Sequence, residues 1–238
     1  MTHRNDPGRP PAVILDMDGT LVDSNDAHAH AWVEALAEAG HRVPFERVRP
    51  LIGMGGDKLL PEVLGLSEEG PEGRRISERR GEIFRKQYLP HLEAIEGAAG
   101  LVARLKAEGH ELAIASSATG DELEQLLRIA GIEELVEHKT SSSDADNSKP
   151  SPDIIHAALD RLNCEPGDAV MIGDTPYDIE AARRAGMGTI AFRCGGWDDA
   201  GLRGALAVYD GPADLLRKYA DSPLAGPEGP ALRRPSQG

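Results

Sequence analysis

Cysteine is scarce: Cys164 and Cys194 are the only two in 238 residues. They are too few and too far apart for a disulfide framework or a zinc site, which need dense or closely spaced ligands, so both read as packing residues. Long apolar runs are missing as well. No stretch reaches the ~18 apolar residues that a membrane-spanning helix requires, and residues 1–11 hold no apolar run that would make a signal peptide or an anchor. The expectation is a soluble, cytoplasmic protein. Positive charge is also in deficit, with 26 Lys and Arg against 40 Asp and Glu and a formal net charge of -14. A nucleic-acid backbone or an anionic membrane would add like charge to that surface. Neither is expected as a partner, and an anionic substrate must be attracted locally.

With 40% hydrophobic residues the chain can build one sizeable core plus an inserted module. Short apolar runs at Ala12 to Leu15, Leu112 to Ala115, Ala169 to Ile172 and Thr189 to Phe192 read as buried parallel strands. Between them, apolar residues recur at three or four, as in Leu123, Leu126, Leu127 and Ala130, or Ile154, Ile155, Ala158, Leu159 and Leu162. Alternating strands and helices predict a doubly wound, Rossmann-like α/β core with a mostly parallel sheet, formed by residues 12–22 and 93–220. Residues 23–92 carry helical patches and no buried strand, which predicts a helical cap over the carboxyl ends of the strands, where open α/β sheets bind ligands. Residues 1–11 and 221–238 have little to bury and read as disordered tails.

Chemistry concentrates at Asp16-Met17-Asp18-Gly19-Thr20-Leu21, where two carboxylates stand two residues apart as a buried strand opens into a turn. Asp and Gly are common turn residues, so this segment alone reads equally as a polar turn. Three more segments follow in order: Ser116 after the run ending at Ala115, Lys149 in Ser148-Lys149-Pro150-Ser151-Pro152, and Gly173-Asp174-Thr175-Pro176-Tyr177-Asp178 after a strand. Each also has a plain structural reading. Thr119 and Glu122 have the spacing of a capping box beside Ser116, Ser151 and Pro152 suit an N-cap and first helical position, and Thr175, Pro176 and Asp178 suit N-cap, N1 and N3.

Together the four segments resemble the motifs of the haloacid dehalogenase superfamily, in its phosphoglycolate phosphatase and β-phosphoglucomutase-like branch. The resemblance covers roughly residues 12 to 209. It implies that Asp16 is the nucleophile, that Asp18 is the general acid and base, that Ser116 donates to a phosphoryl oxygen with Ser117 able to stand in, and that Lys149 neutralises nucleophile and phosphoryl group. It implies Mg2+ as cofactor, held by Asp16, Asp174 and the backbone carbonyl of Asp18, with Asp178 assisting through water or the lysine. Thr20, Ser117, His28, Gly55 and Gly56 are the expected substrate contacts; His28 reads equally as a half-buried helix residue, and the glycines as punctuation between helices. Trp32 is expected in the core, and Arg79, Arg80, Arg85 and Lys86 on a solvated helix face.

The implied activity is magnesium-dependent hydrolysis of a small phosphate monoester through an aspartyl-phosphate, by a monomer or homodimer. Asp18 argues against a haloacid dehalogenase or a phosphonatase, which lack that second acid. A sugar-phosphate mutase would share Asp16, Asp18, Ser116, Lys149, Asp174 and the His28 position, but better-known mutases carry an arginine in the cap loop where Gly56 stands. A non-catalytic binding relative would have lost some of these acids.

Overall fold

The computed structural model describes residues 10–225. Among them six strands form one parallel sheet: β1 (Ala12–Leu15), β2 (Leu112–Ala115), β3 (His138–Thr140), β4 (Ala169–Gly173), β5 (Gly188–Phe192) and β6 (Ala207–Tyr209), in the order β3-β2-β1-β4-β5-β6. Four of these are the expected apolar runs. The two edge strands were not foreseen: β3 reads His-Lys-Thr and carries no apolar signal, β6 is a triplet, Ala-Val-Tyr, shorter than the runs of four that were read as strands, and most of both is only half-buried.

The helices follow the expected alternation. Between β1 and β2 lie α1 (Asn25–Glu38), α2 (Phe45–Val48), α3 (Gly56–Leu64) and α4 (Pro71–Ile83), then α5 (Ala98–Ala107). Later come α6 (Gly120–Ala130), α7 (Asp153–Leu162), α8 (Pro176–Arg184) and α9 (Pro212–Arg217). Strand residues alternate between two apolar layers. Val13, Leu15, Leu112, Ile114, Val170 and Ile172 join Leu101, Leu105, Leu123 and Leu126, whereas Ile14, Ala113, Ala115 and Met171 meet Ile155, Ala158, Ala181 and Ala182. Helices cover both faces, which is why the strands need continuous apolar runs. A fully buried side chain such as Ile14 contributes about 1.5–3 kcal/mol.

The helices α1 to α4 pack on one another through Trp32, Leu36, Leu59, Leu60, Ile76 and Ile83, with Trp32 in the core as expected. The chain leaves and re-enters beside the sheet as a short paired ribbon: Asp23 N–H donates to Glu93 O at 3.0 Å and Ile95 N–H to Leu21 O at 2.9 Å. At the other end, Tyr177 Oη donates to Pro50 O at 2.7 Å, and Arg85 Nη1 to Glu122 Oε1 at 3.1 Å. These contacts hold the inserted segment against the first turns of α6 and α8, the helices that follow β2 and β4.

Three local expectations are corrected. Helix α7 begins at Asp153 with Pro152 as N-cap, one residue later than expected, and Ser151 Oγ donates to Asp153 Oδ1 at 2.5 Å. Thr119 caps α6 without a side-chain bond, and Glu122, which would close the box, is buried and turned to Arg85. The chain stays packed past 221, since Ser222 and Leu224 are buried, Leu224 in the larger apolar layer; the rest of both expected tails, 1–9 and 226–238, lies outside the described residues. No helix among the described residues is long and apolar enough to cross a membrane.

Candidate active site

Strand register assembles the site. Leu15 of β1 pairs with Ile114 of β2 and with Ile172 of β4. One step further along each chain stand Asp16, Ala115 and Gly173, at the same end of the sheet, followed by Met17, Ser116 and Asp174. Gly19 turns the chain after β1 with φ +73, a left-handed conformation that costs glycine little. It must also be small, because a Cβ there would collide with Asn25 Nδ2 and Asp174 Oδ2.

Four distant residues converge. Lys149 Nζ pairs with Asp16 Oδ1, and it lies 2.8 Å from Asp178 Oδ1. The Thr20 hydroxyl stands 3.1 Å from Asp16 Oδ2 and 2.8 Å from Asp174 Oδ1, so one proton is shared between two carboxylates. Asp16, Asp174 and Asp178 each offer an oxygen within 4.8 Å of the others. All are buried, and so is Lys149, at 2% exposure. Three carboxylates against one ammonium leave two uncompensated negative charges, and a divalent cation matches that deficit. The donor set is hard oxygen, as Mg2+ prefers.

The charges of these groups respond accordingly. Burial, with Asp178 and Asp18 adding repulsion, pushes Asp16 up to about 7 even though Lys149 opposes the rise. Burial, then Asp16 and Asp178, pushes Asp174 well above the usual carboxylate range against the bonds from Thr20 and Asn25. Burial alone would lower the Lys149 ammonium, but Asp16 and Asp178 outweigh it and hold it above its ordinary value.

Asp178 closes the expected capping box and faces Lys149 at the same time. Its Oδ2 accepts from Thr175 N–H at 3.0 Å and Thr175 Oγ1 at 2.7 Å, closing a capping box at the start of α8, while its Oδ1 faces Lys149. Gly173 makes this possible, since a Cβ there would lie 2.6 Å from Asp178 Cγ.

Asp18 points elsewhere. Its side chain stands outside the group of three acids: Oδ1 accepts from Ser24 Oγ at 2.6 Å and lies 2.9 Å from His28 Nε2. Burial works to raise this carboxyl, but His28, Ser24 and Lys149 prevail and hold it below its ordinary value. His28 itself is stacked on Phe84, ring centroids 3.9 Å apart. Two acids two residues apart thus occupy opposite electrostatic environments, the condition for separate nucleophile and acid–base roles.

Residues 13–192 match the haloacid dehalogenase-like hydrolase family. The chain belongs to that family. A phosphoglycolate phosphatase of Cereibacter sphaeroides is 30% identical over 223 residues, covering 87% of this chain and 98% of that protein. A hydrolase from Pseudomonas syringae has the same fold with a TM-score of 0.82 and 29% identity, over 88% of this chain and 97% of its own. CbbY from Rhodobacter sphaeroides, solved as a mutant in complex with xylulose-(1,5)bisphosphate, gives a TM-score of 0.73 and 26% identity over 87% of this chain and 96% of its own.

The expected substrate contacts of this hydrolase divide. Ser116 is fully buried at the end of β2, its Oγ accepting from Ala118 N–H at 3.1 Å, and Ser117 beside it is partly exposed. Gly55 packs so closely on Ser148, next to Lys149, that a Cβ would overlap Ser148 Oγ, whereas Gly56 backs onto Glu68 within the inserted helices. Thr20 takes a different task from the one expected: fully buried, its hydroxyl is committed to Asp16 and Asp174. The cysteines also differ. Cys164 packs against the second apolar layer as expected, but Cys194 is an exposed residue whose Sγ, partly buried, donates to Gly19 O at 3.3 Å. Partial burial, and Asp174 nearby, push its thiol up to about 12.

Ser24, Asn25 and Phe84 escaped the sequence reading. Asn25 Nδ2 donates to Asp174 Oδ2 at 2.9 Å and to Gly195 O at 3.3 Å. Nothing in the local sequence singles it out; only its place soon after Asp18, at the first residue of α1, hinted at proximity.

Proposed function

We propose that this protein is a magnesium-dependent phosphatase that hydrolyses a small phosphate monoester, a sugar phosphate or a phosphoglycolate-like acid, through an aspartyl-phosphate on Asp16. The observation that carries the reading is the buried Asp16–Lys149–Asp178 bridge set against Asp174, a cluster short of two positive charges. Asp16, Asp174 and the Asp18 backbone carbonyl would hold Mg2+, which supplies charge neutralisation for nucleophile and phosphoryl oxygens. The phosphatase relative of Cereibacter sphaeroides and the sugar bisphosphate bound by CbbY support the substrate class.

The residues divide the work. Lys149 keeps one Asp16 oxygen oriented and Thr20 restrains the other, so the carboxylate is held ready for in-line attack on phosphorus. Lys149 also screens the incoming dianion, and Ser116 is placed to donate to a phosphoryl oxygen. Asp18 protonates the departing oxygen and then takes a proton from water as it attacks the acyl phosphate. Its resting environment favours the anion. A phosphate dianion arriving beside it favours the protonated form, so substrate binding itself prepares Asp18 as the acid. The inserted helices exclude bulk water from Asp18 through His28, which bonds it and is backed by Phe84.

The test is release of inorganic phosphate from p-nitrophenyl phosphate and a panel of sugar phosphates, phosphoglycolate and nucleotides, with and without Mg2+. Metal-dependent release from the small monoesters is expected. Migration of phosphate around a hexose without release would make the chain a mutase, and silence across the panel would sink the proposal.

A further inference from the structure

Asn25 is buried at 2% exposure at the first residue of α1, the helix that opens the inserted segment. Both groups facing its Nδ2 are acceptors, the Asp174 carboxylate at 2.9 Å and the Gly195 carbonyl at 3.3 Å. The amide therefore has one possible orientation, NH2 toward those oxygens. The carbonyl of Gly195 is fixed in turn by Arg49 Nη2 at 2.7 Å, and Arg49 Nε is held by Asp26 at 2.5 Å. The space around the bond is built to admit it: a Cβ at Gly19 would collide with Asn25 Nδ2, and a Cβ at Gly195 with Asp174 Oδ2.

That orientation leaves Asn25 Oδ1 buried and without a hydrogen-bond donor among the described residues. Buried acceptors are nearly always satisfied, and an exception in a well-packed place calls for a donor from outside the chain. The ion that the acid cluster fits is one that keeps several waters when bound, and those waters are donors. We propose that Asn25 is a positioning residue for the metal site: Nδ2 fixes the Asp174 carboxylate, and Oδ1 receives a water of the ion's hydration shell. The inference rests on the magnesium reading of the cluster but adds a residue that the four motifs do not contain. It also ties the start of α1 to the metal, so that ion binding and the seating of the inserted helices favour each other.

The experiment is calorimetric titration of the full chain with Mg2+, in the absence of substrate, for the wild type, Asn25→Leu and Asn25→Ala. Partners that orient metal ligands change affinity by roughly 10–100-fold when removed. The expected result is at least about tenfold weaker Mg2+ binding in both variants. A matching rise is expected in the Mg2+ concentration for half-maximal phosphate release, with kcat at saturating Mg2+ little changed. A residue with only a structural role would lower thermal stability and leave the Mg2+ dissociation constant alone. Folded variants that bind Mg2+ as the wild type does overturn the inference and leave the phosphatase reading standing. Weakened Mg2+ binding in both variants, together with a wild type that releases no phosphate, does the reverse. A wild type that binds no Mg2+ removes both, and failure of both variants to fold makes Asn25 a folding residue and ends the proposal.

Discussion

Asp16→Asn is expected to make the metal-free protein more stable at pH 8 while removing its activity. Asp16 is buried at 6% exposure among like charges, and its carboxyl sits near 7 in the folded chain against an ordinary 3.8. A group raised on folding binds its proton more tightly in the native state, so its contribution to stability is fully present below about pH 4 and is lost as pH climbs through about 7. The gap of about 3 units, at roughly 1.4 kcal/mol per unit, amounts to about 4 kcal/mol lost between those limits. Asparagine has the shape of the protonated acid and no charge at any pH, so it escapes the loss. The variant should exceed the wild type by about 4 kcal/mol at pH 8 and by less than about 1 kcal/mol at pH 4. With a urea slope of about 2–3 kcal/mol/M for a chain of this size, the unfolding midpoint at pH 8 in EDTA moves up by about 1.3–2 M. Saturating Mg2+ should narrow the gap, because the ion binds the native wild type more tightly than the variant. An Asp16→Asn protein that is no more stable than the wild type at pH 8 without metal would refute the claim that the acid cluster is held together against its own repulsion.

Lys149→Met leaves Asp16 and Asp178 buried without their cation; urea denaturation near pH 7 should show a loss of about 3–5 kcal/mol that shrinks on acidification, together with loss of phosphate release. Chelation with EDTA should abolish turnover and Mg2+ restore it, with the ion at 100 times its dissociation constant raising stability by about 2.7 kcal/mol. Asp18→Asn should cut kcat by about 10²–10⁴ while isothermal titration still detects substrate binding. Gly55→Val forces a side chain into Ser148 beside Lys149; kcat/KM should fall on the order of 100-fold, with a far smaller change in melting temperature.

How much of this was legible beforehand differs from element to element. The strands β1, β2, β4 and β5 are buried on both faces, and that burial demands apolar runs which can be seen directly. Edge strands β3 and β6 have one open side and three residues each, mostly half-buried, so His-Lys-Thr carries no apolar signal and Ala-Val-Tyr is too short to stand out. The capping box at Thr175 and Asp178 was readable because all its partners lie within four residues. The pairing of Glu122 with Arg85 was not, because it joins residues 37 apart and overrides the local spacing that suggested a cap.

The residues Asp16, Asp18, Ser116, Lys149, Asp174 and Asp178 could be named beforehand through the resemblance of four short segments to the family's motifs, each segment lying at a strand end or about a helix start. What the sequence determined is therefore which groups leave the sheet and at which end. Parallel register does the rest, because strands that run together deliver the residues after them to one place. Only the tertiary structure decided how those groups divide: Asp18 to His28 and Ser24, Asp178 to Lys149, Thr20 to two acids at once, and Asn25 to Asp174 across 149 residues. A carboxylate carries the same charge wherever it stands in a sequence, and its role is set by the charges and donors that folding places within a few ångströms of it.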